Sequence, residues 1–455
     1  MKGDTPYDLV PYPSGVFAQT WPDRLGAVAT LHGLGCAPPQ TARVLEIGCG
    51  DGLNLIALAV AYPEGRFEGF DLAATAIEKG QALAGSLGLA NVSLSVQDLK
   101  DAAPPAEAFD YVIAQGVHSW VDAPEREALM ALIRRTLAPD GVAYVSFNAL
   151  PGGHVRRMVR EMLLRALTGV KGARQRMERA LTYLRSLAEA PEDDDPGRAY
   201  MQAHCRRLLA RPPEAFFHDE LSEVFEPVYL EEFAAHAGGH GLQFLNEASF
   251  ELLLDGLDTL AAAQAADFAE VRSYRQSLLV RSEARPLRSL DQRMLGALFV
   301  SHRMREDRLK DLAGFLDDDA ALAAAHDRVL KAWPDRLPIH RLPGAPGIIP
   351  GIFELVVEGF LALHAGPAPY ATDAGERPCV SPLVRAQLAA GHAAVATLSG
   401  VNLNLPDEPL RRFLGLMDGS RDDVALADAA DDLFDDGLTL DRRLDKLAGL
   451  ALFPR

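Results

Sequence analysis

The stretch Val44-Leu45-Glu46-Ile47-Gly48-Cys49-Gly50-Asp51-Gly52 restricts the fold of this chain more than any other. An apolar run closes on an acid and then on glycines at alternate positions. Leu53, Ile56, Ala57 and Val60 follow at the i, i+3, i+4, i+7 spacing of a buried helix face. The reading is strand, tight turn, helix. Glycine permits the sharp turn and lets backbone come close to a ligand. The first turn of the helix offers that ligand unpaired N–H groups.

One glycine-rich turn is compatible with a dinucleotide, a flavin or S-adenosylmethionine, although the G-x-x-x-x-G-K-[ST] pattern of a phosphate loop is missing. Two further stretches narrow the choice. Phe67-Glu68-Gly69-Phe70 reads as a short strand ending in Asp71, an acid placed to accept hydrogen bonds from both ribose hydroxyls. Val92 to Val96 reads as a strand ending in Gln97-Asp98-Leu99, which suits an adenine amino group. Strand ends sharing one edge of a parallel sheet form a ligand crevice. Together these stretches resemble the class I S-adenosylmethionine-dependent methyltransferases, which implies S-adenosyl-L-methionine as cofactor.

From 42 to 147 the patterns alternate. Strands are expected at 42–47, 66–70, 92–96, 109–114 and 142–147, with helices from 53, over 73–86, and from near Asp122 and Pro124 to Leu137. Such alternation implies parallel βαβ units, hence an α/β, doubly wound, Rossmann-like sheet. Residues 155–235 read as helical, with an acidic break at 191–196. Strand signals return at 242–245 and 277–280, and the resemblance implies that they complete a seven-stranded methyltransferase sheet. Helical patterns are expected around 287–302, 318–332 and 351–363, and a strand and turn over 394–405. The expected organisation is an N-terminal arm and cofactor-binding core over 1–154, a helical insertion acting as lid or dimer contact over 155–235, the last helix and strands of the sheet over 236–284, and a mainly helical, winged-helix-like region over 285–455 that regulates the enzyme or recognises its substrate.

Composition removes other classes. The chain has 455 residues and a net charge of −18, with 45 basic and 63 acidic side chains. That disfavours backbone-driven nucleic-acid binding, so no nucleic-acid partner is expected. Cys36, Cys49, Cys205 and Cys379 form no close-spaced pair, which fits a reducing cytoplasm. No uninterrupted apolar run of about 18 residues exists, so no spanning helix is expected. The arginines at 156, 157, 160, 165, 174, 176 and 179 read as a solvated face pairing with local acids rather than a surface for an acidic partner. His236 and His240 stand at i, i+4, a spacing that can hold a metal on a helix. Gly238-Gly239 lies between them and no third ligand is evident in the sequence, so no metal site is expected.

Methyl transfer from a sulfonium is an in-line displacement that needs an uncharged nucleophile in a dry pocket. A lysine, with an ordinary pKa of about 10.4, must first lose its proton. The end of the fourth strand reads Gln115-Gly116-Val117-His118-Ser119-Trp120-Val121. His118 is placed there to orient the nucleophile or take its proton, and Trp120 to wall the pocket. The end of the fifth strand offers Tyr144, Asn148 and His154. An aromatic, proline-bearing arm precedes the first strand, and in this fold such an arm closes over the cofactor, which makes Tyr12 and Gln19 candidates. The cofactor-binding candidates are therefore Tyr12, Gln19, Glu46, Gly48, Gly50, Gly52, Asn54, Asp71, Leu72, Asp98, Leu99 and Gln115. The catalytic candidates are His118, Trp120 and Asn148.

Several runs point to a narrower group. They are Tyr12-Pro13-Ser14, Gln19-Thr20, Pro22-Asp23-Arg24-Leu25, the glycine run, Gly116 to Val121, and Ser146-Phe147-Asn148-Ala149-Leu150-Pro151-Gly152. They resemble bacterial methyltransferases that carry a methyltransferase regulatory domain, and within them the protein-lysine methyltransferases that modify outer-membrane proteins. The resemblance implies an amine acceptor, protein lysine first, and places Glu46 by the methionine amino group. A small-molecule or natural-product N- or O-methyltransferase is the alternative, and a non-catalytic scaffold that holds the cofactor is another. The chain departs from the group at His118, where a tyrosine is common, and at Trp21, where a histidine follows Gln-Thr. Both departures bear on the acceptor.

Overall fold

The computed structural model describes residues 6–102, 107–191, 195–253, 260–303, 309–316 and 319–455. Residues 192–194 of the acidic break at 191–196 lie outside them. Strands β1 (Arg43–Ile47), β2 (Arg66–Asp71), β3 (Val92–Val96), β4 (Phe109–Ala114), β5 (Leu137–Asn148), β6 (Leu242–Glu247) and β7 (Tyr274–Arg281) form one sheet in the order β3-β2-β1-β4-β5-β7-β6. β1 to β5 are parallel, and β7 runs antiparallel to both β5 and β6. The sheet is the seven-stranded, Rossmann-like one expected.

Successive residues of a strand point to opposite faces, and both faces here are covered. Val44 enters the core shared with the Pro22–Leu31 and Leu53–Ala61 helices, while its neighbour Leu45 enters the core shared with the Ala123–Thr136 and Leu230–Gly239 helices. Burial on both faces explains why Val44-Leu45 in β1 and Tyr111 to Ala114 in β4 read as continuous apolar stretches rather than as an alternation. The Ala123–Thr136 helix opens with a capping box. Asp122 accepts from the Glu125 N–H at 3.1 Å, and Glu125 accepts from the Asp122 N–H at 3.1 Å.

Four helices, Gly153–Ala166, Ala173–Ala188, Pro196–Leu209 and Pro213–Leu221, follow β5 and close a separate small core around Val159, Leu184, Cys205 and Phe216. The arginines of this region divide. Arg174 is exposed and pairs with Glu178, but Arg160 is buried and Arg156 is bonded to Glu220. The solvated-face reading therefore fails at those two, because the Pro213–Leu221 helix folds back over them.

Beyond β7 the chain departs from the expected helices. Residues 287–302 give a short 3-10 turn, Gln292–Ala297, and then strand β8 (Phe299–His302). The 351–363 pattern ends as a helix at Val357, turns through Gly359 at φ 79°, and continues as β10 (Leu361–His364). β8 lies between β9 (Leu337–Pro338) and β10, so tertiary pairing overrides the local helical pattern. Asp23 joins this small sheet to the N-terminal helix. Its carboxylate lies 2.7 Å from His364 Nδ1 and 3.1 Å from Arg336, and His364 Nε2 lies 2.8 Å from Ser301 Oγ.

The last region has its own core of Val380, Val395, Phe413, Leu426 and Leu452. It contains helices Pro382–Ala389, Glu408–Leu416, Asp423–Leu433 and Leu440–Ala448 and the hairpin of β11 (Ala394–Ala396) and β12 (Asn402–Asn404). Among the described residues no helix is long and apolar enough to cross a membrane.

Candidate active site

The carboxyl ends of β1, β2, β3, β4 and β5 open into one crevice of about 1420 Å³. Ligand pockets for small molecules usually span about 300–1,000 Å³, so there is room for a cofactor and an acceptor group together.

Gly48, Gly50 and Gly52 all have positive φ, between 58° and 71°, the region that side chains with a Cβ avoid. They differ in surroundings. A Cβ on Gly50 would meet nothing within 4 Å, whereas one on Gly52 would lie 2.6 Å from Leu94. Gly50 thus leaves open space for a ligand. Gly52 is a packing glycine and does not line the crevice, contrary to its place among the cofactor candidates. A Cβ on Gly80 would lie 2.0 Å from the Asp51 carbonyl oxygen, so the Ala74–Ser86 helix braces the turn from behind.

Asp71 reaches across to this turn. Its Oδ2 accepts from the Gly50 N–H at 2.9 Å and its Oδ1 from the Ala73 N–H at 2.9 Å. A carboxylate has about four acceptor positions, so two remain for ribose hydroxyls. Leu72, Asp98, Leu99 and Gln115 also line the crevice. Asp98 accepts from the Lys100 N–H at 3.0 Å, and Gln115 is fixed between the hydroxyls of Tyr144 (2.6 Å) and Tyr274 (3.1 Å).

Glu46 lies at the floor of the crevice and is buried. Burial pushes its pKa up to about 8, against the Asn54 side chain, which lowers it, while Asp51 and Asp71 add to the rise. A buried carboxyl in this state is suited to an incoming ammonium group, which would restore its charge. Its folded-state pKa exceeds the ordinary value, so between about pH 4.5 and 8 the folded protein holds the extra proton, and stability falls as pH rises through that window. Glu46→Gln is therefore expected to raise the thermal midpoint of the ligand-free protein at pH 8 and leave it unchanged at pH 4, while weakening cofactor binding at both. Thermal melts and calorimetry at the two pH values check this. A variant with unaltered cofactor affinity would remove Glu46 from the site.

Asn54 connects Glu46 to the arm. Its Oδ1 accepts from the Phe17 N–H and from Trp21 Nε1, each at 3.0 Å, and its Nδ2 donates to Thr20 Oγ1 at 3.1 Å and to Glu46 at 3.3 Å. Trp21 is thus buried in the arm's anchor rather than presented to an acceptor. Gln19 does not line the crevice, because the Ala18–Thr20 turn carries Thr20 rather than Gln19 toward Asn54. Tyr12 does line it, with its hydroxyl 3.4 Å from Asp219. Upstream, Tyr7 stacks on His218 at 4.2 Å between ring centroids.

Of the catalytic candidates, Trp120 and Asn148 face the crevice and His118 does not. Trp120 carries the Arg156 guanidinium 5.0 Å above its ring, and Asn148 accepts from Arg156 at 2.9 Å. His118 turns into the core behind, against Phe147, Phe233 and His236. Burial pushes its pKa down to about 3, so it stays neutral, and it contacts nothing that reacts. The 3-10 turn His118–Trp120 explains the split, since it sends residues two apart to different sides. His154 also stays out of the crevice lining.

Sequence reading missed much of the far wall. Tyr200, His204, Arg207 and Asp219 come from the inserted helices, Arg211 from the link between two of them, and Arg272 and Tyr274 from the edge of β7. Asp219 pairs with Arg156 at 3.3 Å and with Arg211. No local motif marks these positions. The opposite charges spaced over 211–220 are their only trace in the sequence.

Comparison with known proteins agrees with this geometry. Residues 44–141 match the family model for a methyltransferase domain, and with the strand-end crevice they form an S-adenosylmethionine-dependent methyltransferase domain. Residues 376–446 match the model described as PKMT, C-terminal winged helix domain, so the chain joins these two domains. An uncharacterised protein of Rickettsia prowazekii is 30% identical over 300 residues, covering 63% of this chain and 54% of that protein. A second from the same organism is 29% identical over 232 residues, covering 51% of this chain and 93% of its own. The chain thus spans about half the length of the first of these relatives. The solved structure of PKMT2 from Rickettsia typhi superposes with a TM-score of 0.79 at 20% identity, covering 97% of this chain and 100% of that one. It has also been solved in complex with AdoHcy.

Proposed function

We propose that this chain transfers a methyl group from S-adenosylmethionine to an amine, with the lysine side chains of proteins as the acceptor class. Bound in the crevice, S-adenosylmethionine supplies an electrophilic methyl group on a sulfonium. Gly50 and Asp71 would hold the ribose side, Glu46 the methionine amino group, and Asp98 and Leu99 the adenine. The observation that carries the acceptor is the remainder of the same crevice, lined by Tyr7, Tyr12, Trp120, Asn148, Asp219 and Tyr274. Aromatic faces accept the apolar stem and cationic head of a lysine. The same partly desolvated wall favours loss of the ammonium proton, and the Asn148 and Asp219 oxygens offer acceptors that orient the free amine. The winged helix match and the AdoHcy complex of PKMT2 support the reading.

Incubation with methyl-labelled cofactor and bacterial protein fractions, including outer-membrane proteins, followed by peptide mass spectrometry, tests it. Methylated lysines are expected. Label appearing in metabolite fractions alone would overturn the acceptor, and cofactor binding without any transfer would overturn catalysis.

A further inference from the structure

On the far side of the sheet from the glycine turn, the structure brings together side chains that no step of methyl transfer uses. The Leu230–Gly239 helix continues through Gly238 and Gly239, so the i, i+4 pair His236 and His240 does share one helix face. The third ligand that the sequence does not reveal comes from the neighbouring helix Ala123–Thr136. Glu127 Oε1 lies 3.1 Å from His236 Nε2, and Glu127 Oε2 lies 2.8 Å from His240 Nε2. One donor atom from each residue falls within 4.8 Å of the other two. The expectation of no metal site rested on a broken helix and a missing third ligand, and neither holds.

We propose that Glu127, His236 and His240 form a binding site for a divalent transition metal of the zinc type, which pins the Ala123–Thr136 helix to the Leu230–Gly239 helix. Two imidazoles and one carboxylate suit Zn²⁺ in donor chemistry, and with bonds of about 2.0–2.2 Å in tetrahedral geometry their donor atoms sit roughly 3.3 Å apart. The two contacts to Glu127 are already close to that spacing. His236 Nε2 is buried and makes no hydrogen bond although it faces Glu127 Oε1 at 3.1 Å. A buried polar atom such as this nitrogen ordinarily has a well-formed hydrogen bond. A cation between the three groups satisfies it, with each imidazole giving its Nε2 lone pair and keeping its proton on Nδ1. The Glu127 side chain is 63% exposed, so a fourth position opens to water.

None of the three ligands lines the crevice, so the metal acts on structure. The Ala123–Thr136 helix starts from Asp122 and presents Glu125, both on the crevice wall, and His236 backs onto His118 with ring centroids 6.2 Å apart. Pinning the two helices therefore stiffens the acceptor-side wall from behind.

The test uses the full chain without a histidine tag, stripped with chelator and dialysed. Calorimetric titration with Zn²⁺ is expected to show one equivalent bound and a raised thermal midpoint. Titration with Co²⁺ is expected to give visible bands of a low-symmetry, four-coordinate ion that Zn²⁺ displaces. His240→Ala and Glu127→Gln, on exposed or half-exposed positions and checked for folding by circular dichroism, should lose both the binding and the thermal shift. No uptake by the wild-type chain overturns the proposal. So does uptake that is undiminished in the folded variants, since the cation would then sit elsewhere, for example on the cysteines.

Discussion

Arg275→Ala is expected to destabilise the protein by about 3–5 kcal/mol, the usual cost of breaking a buried ion pair from one side. Arg275 sits on β7 with only 3% of its side chain exposed. It donates to Asp267 Oδ2 and Oδ1 at 2.8 Å each and to Glu247 Oε1 at 2.6 Å, and both carboxylates are fully buried. Some support survives its removal. Glu247 still accepts from Ser277 Oγ at 2.7 Å and from the Gln276 N–H at 3.0 Å, and Asp267 still accepts from Arg272 at 2.6 Å. Glu247 then keeps only these two neutral donors, and Asp267 keeps Arg272 as its one cation among the contacts of the described residues. Urea denaturation at pH 7 reads the loss directly. A deficit below about 1 kcal/mol would mean that the charges reach water in a way this geometry does not allow. Residues 271–274, next in the chain, line the crevice, so the same cluster also fixes that wall.

The second expectation concerns Asp71→Ala, which should weaken the binding of S-adenosylhomocysteine by about 1–3 kcal/mol through loss of charge-assisted hydrogen bonds. On a scale where 1.4 kcal/mol is tenfold, that is roughly 5- to 150-fold in dissociation constant. Two losses add. The ribose acceptor disappears, and so does the clamp on the Gly50 N–H and Ala73 N–H, which frees the glycine turn before any ligand arrives. Asp71→Asn separates them, because its one carbonyl oxygen can keep part of the clamp or part of the ribose contact. Its affinity should fall between the other two. Calorimetry across the three proteins settles the order. Equal affinities would remove Asp71 from ribose binding.

The sequence revealed what depends on short range and little of what depends on assembly. Gly48, Gly50, Asp71 and Asp98 are legible because a strand end followed by a turn fixes their direction within a few residues, and the parallel order then delivers them to one edge. His118 reads as a crevice residue in the sequence because nothing local tells which of two positions two apart in a 3-10 turn faces the crevice and which the core, and the choice depends on Phe233 from a helix more than a hundred residues away. Asp219 and Tyr200 were invisible for a related reason. They sit on helices with ordinary amphipathic patterns, and only the docking of those helices makes them a wall. β8 and β10 read as helix in the sequence because their strand character comes from each other. Glu127 completes the same lesson, since it approaches His236 and His240 only after two separate helices have packed on one face of the sheet.

The arm before β1 carries one more implication. Val16 exchanges hydrogen bonds with Asn402 at 3.0 Å and 2.9 Å, while the adjoining Phe17 and Trp21 hold Asn54. The arm and the late hairpin are thus buckled together beside the crevice, whose lining includes Phe17, Asn54 and Glu46. A displacement of that hairpin therefore pulls on a short chain of hydrogen bonds, from Asn402 through Val16 and Phe17 to Asn54 and from there to Glu46.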